Sequence, residues 1–374
     1  MNKIYLFYND VEHSKPILYK EYLKQNMDSV LQESLMKFPY GMRNTGTYMM
    51  TDSLRDIIDA DKLIPRFYDF NENVDIVVTN ILHRIGSNLK IDFNYWDKIL
   101  KHTEKVIPLS IGFSQDMNKY NVNDDLKKFL EILAERAELG TRTEYDAEIL
   151  NSIGIKNVRV IGCPSMFCNL DRNFCVDDSN IKLDRVNFNF TTDFSNLGIS
   201  QREAVEVHWP LLLYFINLFE NGRQIDFTMQ KPPFTEISDI HGILLSYGEV
   251  HEFYKNCGRY FYSAKDWVQG IKNTDTFSMG TRFHGNVAAI MAGVPTLMVN
   301  VDNRMVGMNK FYKIPYIDIK DFDAQKPLEF YREIADYSEF NKNYSRVYDN
   351  FIDYCEKVGI RLKERKNDNG IEKS

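Results

Sequence analysis

Residues 274–302, TDTFSMGTRFHGNVAAIMAGVPTLMVNVD, constrain the fold more than any other stretch of the chain. Thr276 to Met279 opens on a β-branched residue and is long enough for a brief strand but not for a helix. Gly280 breaks that run, and Arg282, His284 and Gly285 follow at the junction with a helix. Asn286 to Ala292 holds good helix formers and small residues that let a helix lie close to a sheet. Gly293 ends the helix, Pro295 forbids its continuation, and Thr296 to Val299 is apolar and β-rich again. Strand, helix and strand make a βαβ unit, the building block of a parallel α/β layer. Arg282, His284 and Gly285 then sit at a strand's carboxyl end beside a helix N-terminus. Open α/β sheets bind ligands there, because unsatisfied backbone N–H groups and the helix dipole favour an anion.

Arg282 offers a planar fork of donors suited to carboxylate or phosphate and stays charged at any biological pH. His284 can give or take a proton near neutrality. Gly285 leaves room for backbone or ligand to approach closely. Taken alone, R-x-H also fits an arginine paired with a domain-interface carboxylate beside a satisfied loop histidine.

Thr281 to Thr296, T-R-F-H-G-x-x-A-A-x-x-A-G-V-P-T, resembles the R-x-H-G/A…A…G-V-P signature of the polysaccharide pyruvyl transferase family. Further segments resemble that family in its own order. Asn44-Thr45-Gly46 is similar to an N-x-G-D loop, with Thr47 where Asp is usual. Arg142-Thr143-Glu144 with Leu150 and Gly154 is similar to an R-[D/T]-x-x-S…L…G segment. Gly162 to Phe167 is similar to a D-P-A/S-F turn, with Cys163 replacing the acid. Asp302-Asn303-Arg304 with Gly307 is similar to a D-x-K…G element. The resemblance spans roughly residues 40–320 and implies two Rossmann-like domains facing across a cleft, as in GT-B glycosyltransferases. It further implies transfer of the pyruvyl unit of phosphoenolpyruvate onto two hydroxyls of a sugar, with His284 and Arg282 catalytic. Arg282, Arg142, Gly285, Thr281 and Asn286 are the expected donor contacts. Asn44, Gly46, His83 and Arg84 are the expected acceptor contacts. Phosphoenolpyruvate is a substrate here, and neither a cofactor nor a metal is expected. The acceptor expected is a hexose, galactose as its 4,6-ketal, in a lipid-linked or polymeric precursor of a bacterial surface polysaccharide. A GT-B-like glycosyltransferase using a nucleotide sugar shares this fold and a cationic site. A non-catalytic sugar-binding relative is the remaining alternative, and the intact Arg282 and His284 speak against it.

A length of 374 residues suggests two domains. The chain alternates strands and helices throughout, with strands read at Ile4–Tyr8, Asp75–Thr79, Val106–Ile111, Val158–Ile161, Arg185–Phe190, Gln224–Met229 and Arg259–Ser263. Such alternation predicts parallel sheets wrapped by helices. Helices are expected over Thr51–Ile58, Leu126–Ala137, Thr143–Ser152, Glu203–Phe219 with a kink or break at Pro210, Glu236–Tyr254, and Ala264–Ile271. Residues 1–170 form the expected acceptor-side domain and 184–335 the donor-side domain, with 169–183 as the hinge. Residues 336–374 carry a long helix whose stripe of Phe340, Tyr344, Val347, Phe351, Tyr354 and Val358 packs back on the body. Its basic end, Arg361, Lys363, Arg365 and Lys366, suits solvent or a peripheral contact with the inner face of an anionic membrane. A net charge of −7 argues against a nucleic-acid partner. Five scattered cysteines without a C-x-x-C, and no apolar run of membrane-spanning length, point to reduced thiols and a cytoplasmic protein.

Overall fold

A computed structural model describes residues 2–8, 17–18, 45–65, 68–114, 117–118, 120–179, 181–189, 201–229, 253, 256–261, 263–273 and 275–364. The first half contributes β1 (Ile4–Phe7), α1 (Thr45–Ile57), β3 (Lys62–Ile64), β4 (Val74–Thr79), α2 (Phe93–His102), β5 (Thr103–Pro108), α3 (Asp124–Arg136), β6 (Leu139–Thr141), α4 (Glu144–Ser152) and β7 (Val158–Val160). Its sheet runs in the order β3-β1-β4-β5, all parallel. Backbone bonds between Ile111 and the Gly140–Arg142 segment carry it on to the parallel pair β6-β7.

The second half contributes β8 (Arg185–Asn189), α5 (Gln201–Glu220), β9 (Gln224–Met229), β10 (Gly258–Tyr260), α6 (Ala264–Lys272), β11 (Phe277–Gly280), α7 (Phe283–Met291), β12 (Thr296–Asn300), α8 (Asn303–Tyr312), β13 (Tyr316–Asp318) and α9 (Leu328–Ile334). Its strand order is β13-β12-β11-β8-β9-β10, parallel throughout, and the chain order reverses between β8 and β11. That is the doubly wound dinucleotide-fold order, with its ligand crevice expected at the reversal. Two Rossmann-like halves in a GT-B-like arrangement are therefore the architecture.

Several boundaries differ from the sequence expectations, each for a local reason. Gly280 closes β11 rather than breaking it, and α7 begins at Phe283 rather than Asn286. Leu139–Thr141, not among the strands read in the sequence, is a buried strand. Pro210 lies inside an unbroken α5; it forfeits one backbone bond, but Leu211, Leu212 and Phe215 bury beside it and hold the helix. Residues 1–170 do not keep to the first half, because β2 (Ile17–Leu18) adds antiparallel to the far edge of the second sheet at β10. The 169–183 segment is no loose hinge: Val176 is buried, and its backbone N–H and carbonyl both bond to Asn341. Asn44, most of the residue 14–38 stretch, the expected Glu236–Tyr254 helix apart from Phe253, and Arg365 and Lys366 lie outside the described residues. Among the described residues no helix is long and apolar enough to cross a membrane, and all five cysteines are free.

The halves are fused by burial rather than merely linked. One core runs from Ile4 and Leu6 of β1, through Met49, Met50 and Leu54 of α1, to Val287, Ala288 and Met291 of α7. The long helix α10 (Ser338–Val358) buries the whole expected stripe, each side chain contributing roughly 1.5–3 kcal/mol of transfer free energy. It is tied to both halves: Tyr337 donates to the Thr296 carbonyl at 2.9 Å, while Tyr344 and Tyr354 donate to the Met166 and Glu138 carbonyls at 2.8 and 2.9 Å. Beyond it, Arg361 pairs with Asp59 and Asp61, and Lys363 donates to the Arg55 carbonyl, so both are engaged with the first half. Asp52 on α1 accepts from Tyr8 Oη and from the Ala264 N–H at the start of α6, each at 2.9 Å, with its carboxylate buried. Removing it takes this acceptor from the Ala264 N–H and from the Tyr8 hydroxyl. Asp52→Ala should cost about 1.5–3 kcal/mol, read as a lower urea midpoint with an unchanged slope.

Candidate active site

The βα junction after β11 is built around an asparagine pair. Asn189, at the end of β8, accepts the Arg282 backbone N–H at 3.0 Å on its Oδ1 and donates to Asn286 Oδ1 at 2.8 Å. Asn286 in turn donates to the Gly280 carbonyl at 2.8 Å. Both asparagines are fully buried. Asn286, expected to contact the donor, thus has its amide engaged inside the loop and fixes the turn instead. Gly285, expected to admit a ligand, admits protein: a Cβ there would lie 2.9 Å from Asn189 Cγ. Thr281 is also buried in this turn. The outcome is that Arg282 and His284 are held, half-buried, at the switch point of the second sheet, on a helix start that no side chain caps.

From the first half comes Arg142, directly after β6. Its guanidinium is 3 % exposed, with Nε 3.2 Å from Ser110 Oγ and one terminal nitrogen 3.5 Å from Met50 Sδ on α1. No carboxylate oxygen among the described residues lies within 4 Å of it. The backbone around it is locked. Thr143 caps α4 in a reciprocal box with Asp146, whose carboxylate also accepts the Phe113 N–H at 2.7 Å. Ser110 itself sits at a φ of +63°, a conformation costing roughly 1–2 kcal/mol for a residue with a side chain. Such strain is kept where the surroundings over-determine it, and here it turns the serine hydroxyl onto the arginine.

Four cations and two imidazoles share this place. Burial, and then the charges of Arg142, Arg304, His83 and Arg282, hold the His284 imidazole well below the ordinary histidine range. His83, in the turn after β4, is pushed down to about 3 by burial, with Arg142, Arg304 and Arg84 adding to it. Its Nδ1 lies 2.7 Å from the Asn80 carbonyl, so Nδ1 carries the proton and Nε2 is the lone-pair side. Arg84 is exposed on the rim. Burial also lowers Arg142 and Arg304 adds to that effect, while Cys163, Asp146 and Tyr312 oppose it. Gly46 is buried in the first turn of α1.

Two contributors were missed from sequence. Arg304, at the start of α8, forms a 3.3 Å ion pair with Asp302 yet still bears on His284 and Arg142; its D-x-R context was the available signal. Cys163 places its Sγ 3.6 Å from His284 Nε2, with only its place in the Gly162–Phe167 turn to mark it. Metal ligation has no evident donor set here: among the described residues no three His, Cys, Asp or Glu converge.

A family model described as polysaccharide pyruvyl transferase matches residues 44–303. The chain belongs to that family. The match runs from the residue before α1 to the first residue of α8, so it spans Arg142, Cys163, Arg282 and His284 but stops just short of Arg304. A search of curated proteins gives no significant match. Among solved structures, the chain is similar to a UDP-N-acetylglucosamine 2-epimerase (11 % identity, TM-score 0.45, covering 97 % of this chain and 98 % of that one). It is also similar to MnaA from S. aureus, solved with UDP (13 %, 0.44, covering 96 % and 98 %). The UDP-GlcNAc 2-epimerase from Methanocaldococcus jannaschii is a third (13 %, 0.41, covering 93 % and 98 %).

His208 gives this family member a measurable electrostatic signature. It is buried on α5, and burial together with the Arg282 charge lowers it from 6.5 to about 4. The folded protein keeps it neutral while the unfolded chain protonates it. Its contribution is therefore intact above pH 6.5 and is lost as pH falls toward about 4. His208→Gln should flatten the pH dependence of unfolding free energy in that window by about 1.4 kcal/mol per pH unit, measured by denaturant titration.

Proposed function

We propose that this family member moves the pyruvyl unit of phosphoenolpyruvate onto two hydroxyls of a hexose, releasing phosphate. The hexose we favour is galactose, as its 4,6-ketal, in a lipid-linked or polymeric precursor of a bacterial surface polysaccharide. The observation that carries this reading is a guanidinium at Arg142 buried with no carboxylate oxygen within 4 Å among the described residues, in one electrostatic cluster with Arg304, His83, His284 and Arg282. A ligand bearing both a carboxylate and a phosphate supplies the negative charge such a cluster lacks, and arginine forks take either group bidentately.

In this mechanism His284, as imidazolium, gives its proton to the terminal methylene of phosphoenolpyruvate. The methylene becomes a methyl group and C2 becomes electrophilic. One sugar hydroxyl adds to C2 and gives its proton to a base, the C2–O bond to phosphate breaks with the electron pair leaving on phosphate, and the second hydroxyl adds to the C2 cation to close the ketal, its proton passing to the released phosphate. The arginines stabilise the departing phosphate without waiting for solvent to reorganise. His83, with its Nε2 lone pair turned outward, is suited to accept a hydroxyl proton. We take the reaction to occur in the cytoplasm with no resident cofactor. Any peripheral membrane contact through the basic tail then falls to Arg365 and Lys366, since Arg361 and Lys363 are engaged elsewhere.

Phosphate release from phosphoenolpyruvate should depend on a galactose-containing lipid-linked acceptor, with product mass raised by pyruvic acid less one water. Arg282→Ala and His284→Ala should abolish turnover and leave folding intact, and Arg142→Ala should lower kcat/KM by about 100-fold or more. No release with any acceptor, together with thermal stabilisation by a nucleotide sugar, would overturn the proposal in favour of glycosyl transfer. The low proton affinity of His284 at rest yields a second expectation. Bound anion charge offsets the arginines and restores it, so phosphoenolpyruvate binding near neutrality should take up a proton. Calorimetry in buffers of different ionisation enthalpy reads this directly; buffer-independent heats would exclude it.

A further inference from the structure

The Cys163 thiol is fixed in space by three separate elements. Its backbone N–H donates to Tyr312 Oη at 2.7 Å, and the same hydroxyl donates back to the Cys163 carbonyl at 3.2 Å. Tyr312 ends α8 in the second half, so one phenol clasps a first-half residue from across the domain boundary. The clasp needs Gly162: its φ is +76°, and a Cβ there would lie 2.0 Å from Tyr312 Oη. Pro164 then starts a short 3₁₀ turn, Pro164–Phe167, whose Ser165 Oγ lies 3.1 Å from Cys163 Sγ. The thiol is fully buried and points at His284 Nε2, 3.6 Å away.

We infer that Cys163 is the positioning residue for His284, holding the imidazole in one ring orientation and one tautomer and governing how readily it takes a proton. The contact is the one hydrogen bond His284 makes through its side chain among the described residues. The Cys163 sulfur either gives S–H to Nε2 or takes N–H from it, and the direction that bond takes sets which nitrogen carries the proton. The charged groups that lower its proton affinity are Arg142 and His83 from the first half, Arg304 from α8, and Arg282 from its own turn, while the Phe283 ring packs edge-on against it. Asp302 is already paired with Arg304, and Asp146 is engaged with the Thr143 and Phe113 N–H groups. Burial and the surrounding arginines hold down the proton affinity of the resting imidazole, and a bound anion is what raises it. This part of the inference rests on the pyruvyl-transfer reading; the orientation and tautomer do not.

The test uses the full chain with ¹⁵N-labelled histidine, the His284 signals being assigned through His284→Gln. The wild type and Cys163→Ser should show a single His284 tautomer, while Cys163→Ala should show exchange between the two. Cys163→Asp should raise the His284 titration midpoint by roughly one pH unit or more, because an opposite charge within reach favours the imidazolium. In phosphate release, Cys163→Ala should lower kcat about tenfold with the KM for phosphoenolpyruvate within about twofold, with recovery in Cys163→Ser. A Cys163→Ala protein whose His284 tautomer signature and kcat both match the wild type would overturn the inference, and the Ala and Ser variants decide it even where the Asp variant fails to fold. A tautomer change in Cys163→Ala without phosphate release from any variant would support the positioning role while removing the reaction.

Discussion

A guanidinium taken out of water with no carboxylate oxygen within ion-pair distance among the described residues is the arrangement on which this structure turns. Desolvating an ion costs several kcal/mol even after relaxation, and Arg142 lies beside further cations instead of a carboxylate partner. What holds it there is dipolar and indirect. Ser110 offers a hydroxyl from a strained backbone, Met50 offers a sulfur, and the Asp146 charge stands one residue-layer back, bound to N–H groups. None of these neutralises the site. The positive charge gathered where strand ends of the two halves meet persists because the surrounding fold supplies the stability that the cluster itself lacks.

That requirement explains the fusion of the halves. Arg142 and His83 follow strands of one sheet, while Arg282, His284 and Arg304 follow strands of the other. Like charges contributed by two bodies push them apart, by about 4 kcal/mol for a pair at 4 Å in an effective dielectric of 20. Opposing this are the shared core, the α10 stripe, the Asp52 bridge and the Tyr312 clasp. The longest helix in the described residues and the most buried carboxylate of α1 thus serve the site although neither touches it.

How much of this could be read in the sequence follows from locality. The β11–α7–β12 unit was legible because its glycines, proline and apolar runs act over a few residues, and the α10 stripe was legible because helical spacing repeats. The start of α7 was misjudged because Phe283 and His284 are indifferent helix formers on propensity, and the Asn189–Asn286 pair that fixes the turn joins residues distant in sequence. Asn286 and Gly285 were read as ligand contacts because their chemistry suits one; only the fold shows that each faces Asn189. Arg304 and Cys163 carried faint signals for the same reason, since nothing in a chain position shows which residues will converge on an imidazole. The crossing of β2 to the second sheet is a tertiary pairing of two residues, below the reach of any pattern.

The same separation bears on chemistry. A histidine meant to protonate carbon must hold a proton at the right moment, and a permanent carboxylate neighbour would keep it charged whether or not donor is bound. His284 has a thiol neighbour and several cations around it. Under the pyruvyl-transfer reading, the anion that satisfies Arg142 is also the anion that lets His284 become an acid, so binding and activation share one electrostatic cause. Each half then supplies what the other cannot use alone: the first a buried cation with no carboxylate paired to it among the described residues, the second an imidazole short of its second proton.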